Sequence, residues 1–458
     1  ANGASHGRTL YALSDDAPLA FNVRTTHSSV LKLWKSEAAA ATPPAPTSDL
    51  ALRAKTLLQK MVERAAEFLW DLFLPKDAAT SVSKDYFPYA KWYFVGSIAS
   101  AASGVLSMQS LLYAIGLGAG SIPTAAAVNW VLKDGLGQFG GVLFASLVNN
   151  RYDADPKRWR TASAVALDAA VLLEILTPLA PAHFLPLASL ANVAKNISWL
   201  SASATRAGFH NSFALRENLA DVTAKAGSQS IASSILGTGL GIGLSHVTGA
   251  STAHVLCAFG ALSAVHLVSI YRSLSCVSLR TLNCQRLHLV ASHFAASGGT
   301  HVPSLDAVRE REQFVPLLLA GYRSLYRAST VNAHASLAQL CGAAPPELQR
   351  LRAFYADERY LLNVAALPAG GARVDLALAE DATSSDALAA HLHAVLVQRA
   401  LEDAESMAAA APEWRVVERA YHESRALRRA FVQQLEASEW HTANLLVEEQ
   451  NCRYRWAE

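Results

Sequence analysis

The sequence predicts a mainly α-helical fold, in which a multi-helix membrane-embedded bundle precedes a small C-terminal α+β domain. Composition is the first observation behind this prediction: 52% of the 458 residues are hydrophobic and only 17% are charged, whereas soluble domains carry about 25% charged residues. The second is the absence of Asp, Glu, Lys and Arg from two long blocks, 92–132 and 226–271. Each block is long enough for one membrane-spanning helix of about 20 residues and for a second beside it.

Breaks at glycine and proline divide the apolar regions into predicted membrane-embedded segments. They lie near residues 94–117, 122–148, 161–180, 184–204, 228–248 and 252–270. Glycines recur four residues apart in several of them, as at Gly237 and Gly241 and again at Gly239 and Gly243. Small residues at this spacing let two helices approach closely, so we expect glycines at helix contacts. Because alanine, glycine and serine lower the hydrophobicity of these segments, a soluble, wholly buried helical core is the alternative.

The chain divides into three predicted regions. Residues 1–50 form an N-terminal arm and Pro/Ala linker, residues 51–300 the helical membrane domain, and residues 301–458 the soluble α+β domain. The linker cannot bury a core, and apolar residues recur at helical spacing from residue 51. The sequence begins with Ala and shows no apolar signal-peptide region near its start. A removed transit peptide would explain both facts, as would a sequence that begins inside a longer protein.

Local patterns in the C-terminal region predict a β-hairpin followed by two helices. Residues 358–366 and 373–379 have the composition of strands and flank a Pro-Ala-Gly-Gly turn. Helix-capping residues precede an apolar helical pattern at 387–401, and a charged helical pattern extends over about 412–439. These elements define the predicted α+β domain.

Charge and cysteine content exclude several classes of binding protein. The net charge is only +2 and the basic residues are scattered, so we expect no nucleic-acid partner. The five cysteines include no CxxC pair, which argues against a zinc site or a disulfide framework. His246, His254 and His266 lack the i, i+4 spacing of a helical metal site. We therefore expect no metal ligands, and we interpret these histidines as core or interface residues.

The sequence also lacks the patterns of common enzymes. No Gly-x-Ser-x-Gly, Walker or HExxH motif occurs, and the glycine run at 237–243 follows no predicted strand, as a dinucleotide-binding loop requires. Asp168 and Glu174 are six residues apart and point to different faces of a helix, so paired-carboxylate catalysis is unsupported. We expect a protein that is not an enzyme, with no catalytic residues and no cofactor.

Lys133 and Asp134 form an ionisable pair between two uncharged stretches. At membrane depth such a pair is costly unless the charges satisfy each other or face a wet cavity, so by default it marks a functional site. The adjacent glycines, Gly135, Gly137 and Gly140, could let the helix unwind toward a solute. The alternative is a pair at the end of a helix, with the glycines forming a turn.

Two rows of polar residues suggest a binding pocket. Asn218, Asp221, Lys225 and Gln229 lie at steps of three, four and four, which places them on one helix face. The preceding segment carries a comparable row that contains Lys195 and Arg206. Facing rows could line a pocket for an anionic or zwitterionic small molecule, although a network that only fixes helix packing is equally consistent. The candidate ligand-binding residues are Lys133, Asp134, Lys195, Arg206, Asn218, Asp221, Lys225 and Gln229.

Two sequence blocks carry a resemblance to a known family. They are residues 130–140 (WVLKDGLGQFG) and residues 218–222 (NLADV), and shorter matches extend over about 60–445. Through them the chain resembles the root UVB sensitive family, also catalogued as a domain of unknown function. Ala164 and Ala226 depart from the pattern, because acidic residues are usual there. The departures indicate a divergent paralogue.

The resemblance implies a nucleus-encoded protein of an organelle membrane, in the chloroplast or mitochondrion. It further implies a role in UV-B response, development or vitamin B6 homeostasis, with no catalytic residues to carry over. We therefore predict a non-enzymatic scaffold or regulatory partner, whose own partners are the lipid bilayer and a homologous family member or other subunits of a membrane complex. The alternative is a carrier or binding protein for a vitamin B6-like or other anionic solute. An enzyme acting on vitamin B6 is the weakest alternative.

Overall fold

In the computed structural model the chain divides into two units, Ala1–Phe68 and Leu69–Glu458. The structure describes residues 60–62, 64, 68, 70–115, 124–148, 151–315, 331–333, 335–341, 345–366, 372–406, 413–446 and 453–456. The predicted arm and linker at 1–50 lie outside the described residues, as does most of the helix predicted from residue 51. The elements below belong to the second unit.

The first part of this unit is a bundle of long helices. Its elements are α1 (Ala78–Ser81), α2 (Tyr86–Ala114), α3 (Thr124–Val148), α4 (Arg151–Ala154), α5 (Pro156–Leu176), α6 (Phe184–Phe213), α7 (Leu219–Thr248) and α8 (Thr252–Ser275). Every predicted membrane-embedded segment overlaps one of the long helices. Among the described residues, four helical segments are long and apolar enough to cross a membrane, by length and composition alone. They are Tyr86–Ala114, Pro156–Leu179, Leu219–Thr248 and Thr252–Ser275.

Local sequence explains where several of these helices begin and end. Pro156 occupies the first turn of α5, where its missing N–H costs nothing, and the Asp155 side chain accepts from the Arg158 backbone N–H. Gly249 ends α7 with φ of 54°, a left-handed conformation that glycine adopts without strain. Ser251 then caps α8 through its side chain.

The helices pack closely where glycines face a neighbour. Helix α2 packs against α5, α7 and α8, and α6 packs against α3 and α5. A Cβ atom added at Gly237 would lie 2.5 Å from the Ile98 carbonyl oxygen, and one at Gly241 would lie 2.7 Å from Cβ of Val105. The expectation of glycines at helix contacts is confirmed here, because only a residue without Cβ permits this approach.

The rest of the unit is an α+β region with its own core. Its helices are α9 (Cys284–Ala296), α10 (Leu305–Arg311), α11 (Leu337–Cys341), α12 (Pro345–Phe354), α13 (Ser384–Ser406) and α14 (Glu413–Glu436). Its strands are β1 (Thr281–Asn283), β2 (Val331–Asn332), β3 (Tyr360–Ala366), β4 (Ala372–Ala379), β5 (His441–Leu446) and β6 (Arg453–Tyr454). The core includes residues from α9, the sheet, α13 and α14.

The predicted hairpin and the two helices after it are confirmed. Strands β3 and β4 pair antiparallel, with Tyr360 opposite Leu378. Strands β2 and β6 each pair with β4 in parallel, and β1 pairs with β5 as a separate parallel pair. The sequence did not predict these four strands.

Within the part of the chain that the structure describes, exposed large hydrophobic side chains are confined to the N-terminal half of the second unit and the few described residues before it. Among the described residues, exposed large hydrophobic side chains occur between Met61 and Tyr271, and none follows Tyr271. Val131, Phe139 and Ile235 illustrate the pattern, with 70%, 62% and 67% of their surface exposed. The outside of the bundle is therefore apolar, whereas the outside of the α+β region is polar.

Candidate functional site

A polar cavity of about 410 Å³ lies within the helical bundle. Helices α2, α5, α6, α7 and α8 contribute to its wall. Its cationic side chains are Arg160, Lys195 and Arg206, and the other polar or aromatic residues are Tyr93, Ser97, Ser100, Ser163, Ser198, Trp199, Ser230, Ser233, Ser234 and His266. The cavity is thus lined mainly by hydroxyl and cationic groups inside an otherwise apolar bundle.

Helical spacing brings these residues to the cavity. Ser97 and Ser100 are three residues apart on α2, and Ser230 and Ser233 are three apart on α7. Residues three or four apart share a helix face, so each helix presents a small row of hydroxyls. Because serine side chains are short, the space between the helices stays open.

Two arginines converge on one tyrosine at this cavity. Arg206 Nη2 donates to Tyr93 Oη at 3.1 Å, and the Arg160 guanidinium lies 5.5 Å from the centre of the Tyr93 ring. Arg160 Nη1 also lies 3.1 Å from Ser163 Oγ. Within the described ranges, neither arginine has a carboxylate oxygen within 4.0 Å. The two guanidinium groups therefore leave uncompensated positive charge beside the cavity.

Lys195, by contrast, is neutralised by its surroundings. Its ammonium donates to a Glu174 carboxylate oxygen, and Ser107 Oγ lies 3.4 Å from Lys195 Nζ. Ser107 also donates to Glu174, whose side chain is only 2% exposed. Glu174 thus forms an ion pair with Lys195 inside the bundle.

Asp168 also has defined partners. Its Oδ1 lies 2.8 Å from Nδ1 of His266, and its Oδ2 accepts from Ser263 Oγ at 2.6 Å. Asp168 and Glu174 therefore act in separate networks. No group of three or more His, Cys, Asp or Glu residues that could hold a metal ion occurs in the described part of the chain.

The structure places Lys133 and Asp134 outside this cavity. The two side chains pair at 2.5 Å, and Asn192 Nδ2 donates at 3.1 Å to both the Lys133 carbonyl oxygen and Asp134 Oδ1. The Lys133 ammonium also lies 4.7 Å from the centre of the Trp130 ring. Helix α3 continues unbroken past the glycines, so the pair lies mid-helix and joins α3 to α6.

The row on α7 instead holds the segment before α1. Asp221 accepts from the Lys76 backbone N–H at 2.7 Å, and Lys225 donates to the Asp71 carbonyl oxygen. Gln229 donates to the Phe73 carbonyl oxygen at 2.7 Å and to Tyr86 Oη at 3.1 Å. Asn218 precedes α7 and accepts from the Arg216 backbone N–H. Of the candidate residues, the structure brings Lys195 and Arg206 to the cavity.

Sequence reasoning missed Arg160, Tyr93 and His266 as members of one site. They lie on α5, α2 and α8, so no local spacing connects them. A usable signal was the recurrence of serines three residues apart in uncharged helices, as at Ser97 and Ser100, because such rows place hydroxyls on one face of an apolar helix.

Two protein-family models match the sequence of the chain. The family described as "Vitamin B6 photo-protection and homoeostasis domain" matches residues 59–298. The family described as "Root UVB sensitive protein, C-terminal" matches residues 328–456. The first match contains every residue that lines the cavity.

Curated relatives agree with these matches. "Protein root UVB sensitive 2, chloroplastic" from Arabidopsis thaliana is 34% identical over 406 residues, 88% of this chain and 87% of the relative. "Protein root UVB sensitive 3" from the same organism is 27% identical and covers 84% of this chain and 85% of the relative. "RUS family member 1" from Dictyostelium discoideum is 31% identical over 54% of this chain and 47% of the relative. No solved structure matches the chain.

Proposed function

Because the chain belongs to the root UVB sensitive family, we propose that it is a membrane protein that binds an anionic small molecule in the bundle cavity as part of vitamin B6 homeostasis. The family description supports the connection with vitamin B6. The name of the chloroplastic relative supports a location in the plastid. The proposal includes no chemical reaction, and the protein acts as a binding protein or carrier.

The observation that carries this proposal is the pair of arginines without a carboxylate. Arg160 and Arg206 flank Tyr93, and serine hydroxyls surround them. Guanidinium groups favour phosphate and carboxylate ligands because their N–H donors match the geometry of these anions. The volume of about 410 Å³ falls in the range of small-molecule sites. A phosphorylated B6 vitamer, with one small aromatic ring and one phosphate, fits this chemistry.

The apolar exterior of the bundle supports the membrane location. In water, exposed side chains such as Val131, Phe139 and Ile235 would leave apolar surface in contact with solvent. In a bilayer, the same side chains would contact lipid tails. The long helices have the length and composition that spanning requires.

A scaffold or regulatory role is the second candidate. The observation that favours it is that Lys133, Asp134, Asp221 and Lys225 are satisfied within the chain itself, as expected of residues that fix helix packing. The α+β region, with its polar exterior, would then contact a homologous family member or other subunits of a membrane complex. In this role the cavity would bind no ligand, so substitutions at the cavity would not change the function of the protein.

Ligand titration of the purified protein in lipid nanodiscs separates the two candidates. We expect pyridoxine 5′-phosphate to bind and pyridoxine, which lacks the phosphate, to bind much more weakly; neither compound carries an aldehyde that would react with surface lysines. Arg206→Gln and Arg160→Gln should each weaken binding about 10- to 100-fold, since a hydrogen bond to a charged group contributes about 1.5–3 kcal/mol.

Lys91→Gln is the matched control, because it removes a positive charge from an exposed position on α2. It should leave the affinity unchanged. Equal affinities for the two vitamers, or wild-type affinity in both arginine variants, would contradict the proposed site and favour the scaffold.

Alkaline carbonate extraction tests the membrane location separately. An integral protein stays in the membrane pellet, because its apolar helices remain among lipid tails. Release of the full chain into the supernatant would show that the bundle only associates with the membrane surface.

A further inference from the structure

We infer that the cavity takes up its anion together with a proton, and that the imidazole of His266 carries this proton. The inference rests on the proposed anion-binding function and adds a coupled ion to it. Three observations support it: the fixed orientation of the imidazole, the free nitrogen on its other side, and the charges around the cavity.

Asp168 and Ser263 fix the orientation of the His266 ring. Nδ1 of His266 lies 2.8 Å from Asp168 Oδ1, and Ser263 donates to the other carboxylate oxygen at 2.6 Å. With one oxygen engaged by a hydroxyl donor, the carboxylate accepts from Nδ1, so the proton of the neutral ring resides on Nδ1. His266 is 2% exposed, which holds this arrangement in place.

The second ring nitrogen of His266, Nε2, is available to contact a ligand in the cavity. His266 lines the cavity, and within the residues that the structure describes Nε2 has no hydrogen-bond partner. In the neutral ring, Nε2 presents a lone pair, which repels an anion. In the protonated ring it presents an N–H donor, which attracts one. A bound anion therefore favours the protonated ring.

Charges on the surrounding helices strengthen this coupling. The titratable or charged groups that share the cavity or contact His266 are Tyr93 on α2, Arg160 and Asp168 on α5, and Lys195 and Arg206 on α6, whereas α7 contributes only serines. While the cavity is empty, the Arg160 and Arg206 guanidinium groups oppose a further positive charge on His266, whereas the charge of Lys195 is balanced by Glu174. An anion offsets that repulsion, and the Asp168 carboxylate then stabilises the imidazolium.

The proposed step is balanced without an oxidant or a reductant. A proton from bulk water forms a bond to Nε2 as the anion enters, and the same proton leaves when the anion leaves. For a monoanion, the loaded cavity then carries the same net charge as the empty one, and for a dianion such as sulfate the proton reduces the change to one negative charge. This property lowers the electrostatic cost of holding an anion at membrane depth.

Calorimetric titration of the wild-type chain with sulfate tests the inference, because sulfate keeps its charge while histidine titrates. Nanodiscs of phosphatidylcholine alone exclude competition from anionic lipid headgroups. In two buffers of different ionisation enthalpy, we expect sulfate binding to be accompanied by proton uptake, and the Kd should rise as the pH rises. Binding without proton uptake would overturn the inference and leave the proposed anion site standing.

His266→Asn provides the matched variant. The amide N–H₂ of asparagine can still donate to Asp168, but asparagine cannot take up a proton. We expect sulfate to bind with no proton uptake. Persistent uptake in this variant would assign the proton to another group and overturn the role of His266. If sulfate fails to bind the wild type, the proposed function fails, and the inference fails with it.

Discussion

His393 shows what burial does to a single titratable residue in the α+β region. Its side chain is fully buried, with Nε2 donating to the Val417 carbonyl oxygen and Nδ1 accepting from Tyr360 Oη, both at 3.2 Å. Burial lowers the pKa of His393 from 6.5 to about 4, although the bond to Val417 opposes the shift. The imidazole is therefore neutral in the folded protein at neutral pH, because a buried charge would lack a counter-charge.

Acidification should destabilise the α+β region through His393. The pKa of His393 is lower in the folded than in the unfolded chain, so its contribution to stability is complete above about pH 6.5 and is lost as pH falls toward 4. At about pH 5 the loss should reach about 2 kcal/mol. Urea unfolding of the full chain at neutral and acidic pH measures it. His393→Gln should flatten this pH dependence, whereas His422→Gln, on an exposed position of α14, should leave it unchanged.

Residue identity predicted the cavity only in part. Lys195 and Arg206 stood out because they are cationic residues in an apolar segment, where charge is costly and needs a reason. Arg160 stood near the start of its helix, where a basic residue is unremarkable, and Tyr93 carries no formal charge. Their role arises from three helices that meet in space, and sequence spacing describes one helix at a time.

At the scale of the element, α7 presents two glycine pairs with different surroundings. Gly237 and Gly241 contact α2 so closely that added Cβ atoms would lie 2.5 Å and 2.9 Å from the carbonyl oxygens of Ile98 and Ala102. Gly239 and Gly243 have open space at their Cβ positions. The sequence shows the same four-residue spacing for both pairs, so it could predict that α7 packs closely but not with which pair.

Alanine substitutions should distinguish the two pairs. Gly237→Ala and Gly241→Ala should each destabilise the bundle by about 1–3 kcal/mol, because α2 and α7 must move apart to admit the Cβ. Gly239→Ala and Gly243→Ala are matched controls with the same chemical change, and they should be neutral or stabilising by about 0.5–1 kcal/mol. Thermal unfolding in detergent measures all four variants. Equal losses of Tm in both pairs would contradict the packing of α7 against α2.

The sequence predicted the hairpin of β3 and β4 because both strands and their turn lie in one short stretch of sequence. Strands β3 and β4 are seven and eight residues long and follow each other in sequence. Strands β1, β2 and β6 have only two or three residues each, which is too short for a periodic pattern. They exist because distant segments meet: β1 at Thr281 pairs with β5 at His441. Such pairings depend on the tertiary fold, and a pass along the sequence cannot detect them.

At the scale of the whole molecule, the charged and uncharged regions of the sequence correspond to the polar and the apolar exterior. The described residues of the charge-free blocks 92–132 and 226–271 lie in the bundle, where the exposed large hydrophobic side chains are found, and the described residues of the charged C-terminal sequence lie in the region with a polar exterior. Composition could therefore predict the division between the two surfaces. It could not predict how the bundle joins the α+β region, because that junction depends on a few charged residues far apart in sequence.

A buried ion triad forms this junction. Glu312, directly after α10, pairs with Lys157 Nζ at 2.5 Å through one oxygen and with Arg286 Nη1 at 2.6 Å through the other. Lys157 lies in the first turn of α5 and Arg286 on α9, and all three side chains are at most 2% exposed. Burial alone would raise the pKa of Glu312, but the two cations together lower it. Glu312 thus bridges two buried positive charges, and the buried Asp155 carboxylate also interacts with Lys157 and Arg286.

The charge balance of the triad predicts the order in which its variants lose stability. Glu312→Gln leaves Lys157 and Arg286 buried without their shared counter-charge and should cost about 3–5 kcal/mol. Lys157→Met removes one cation and keeps the Arg286–Glu312 pair, so it should cost clearly less. Glu310→Gln is the control, because this carboxylate is 72% exposed and an exposed ion pair contributes about 0–1 kcal/mol. Urea unfolding of the full chain ranks the three. If Lys157→Met proves as harmful as Glu312→Gln, side-chain packing rather than charge compensation holds the bundle to the α+β region.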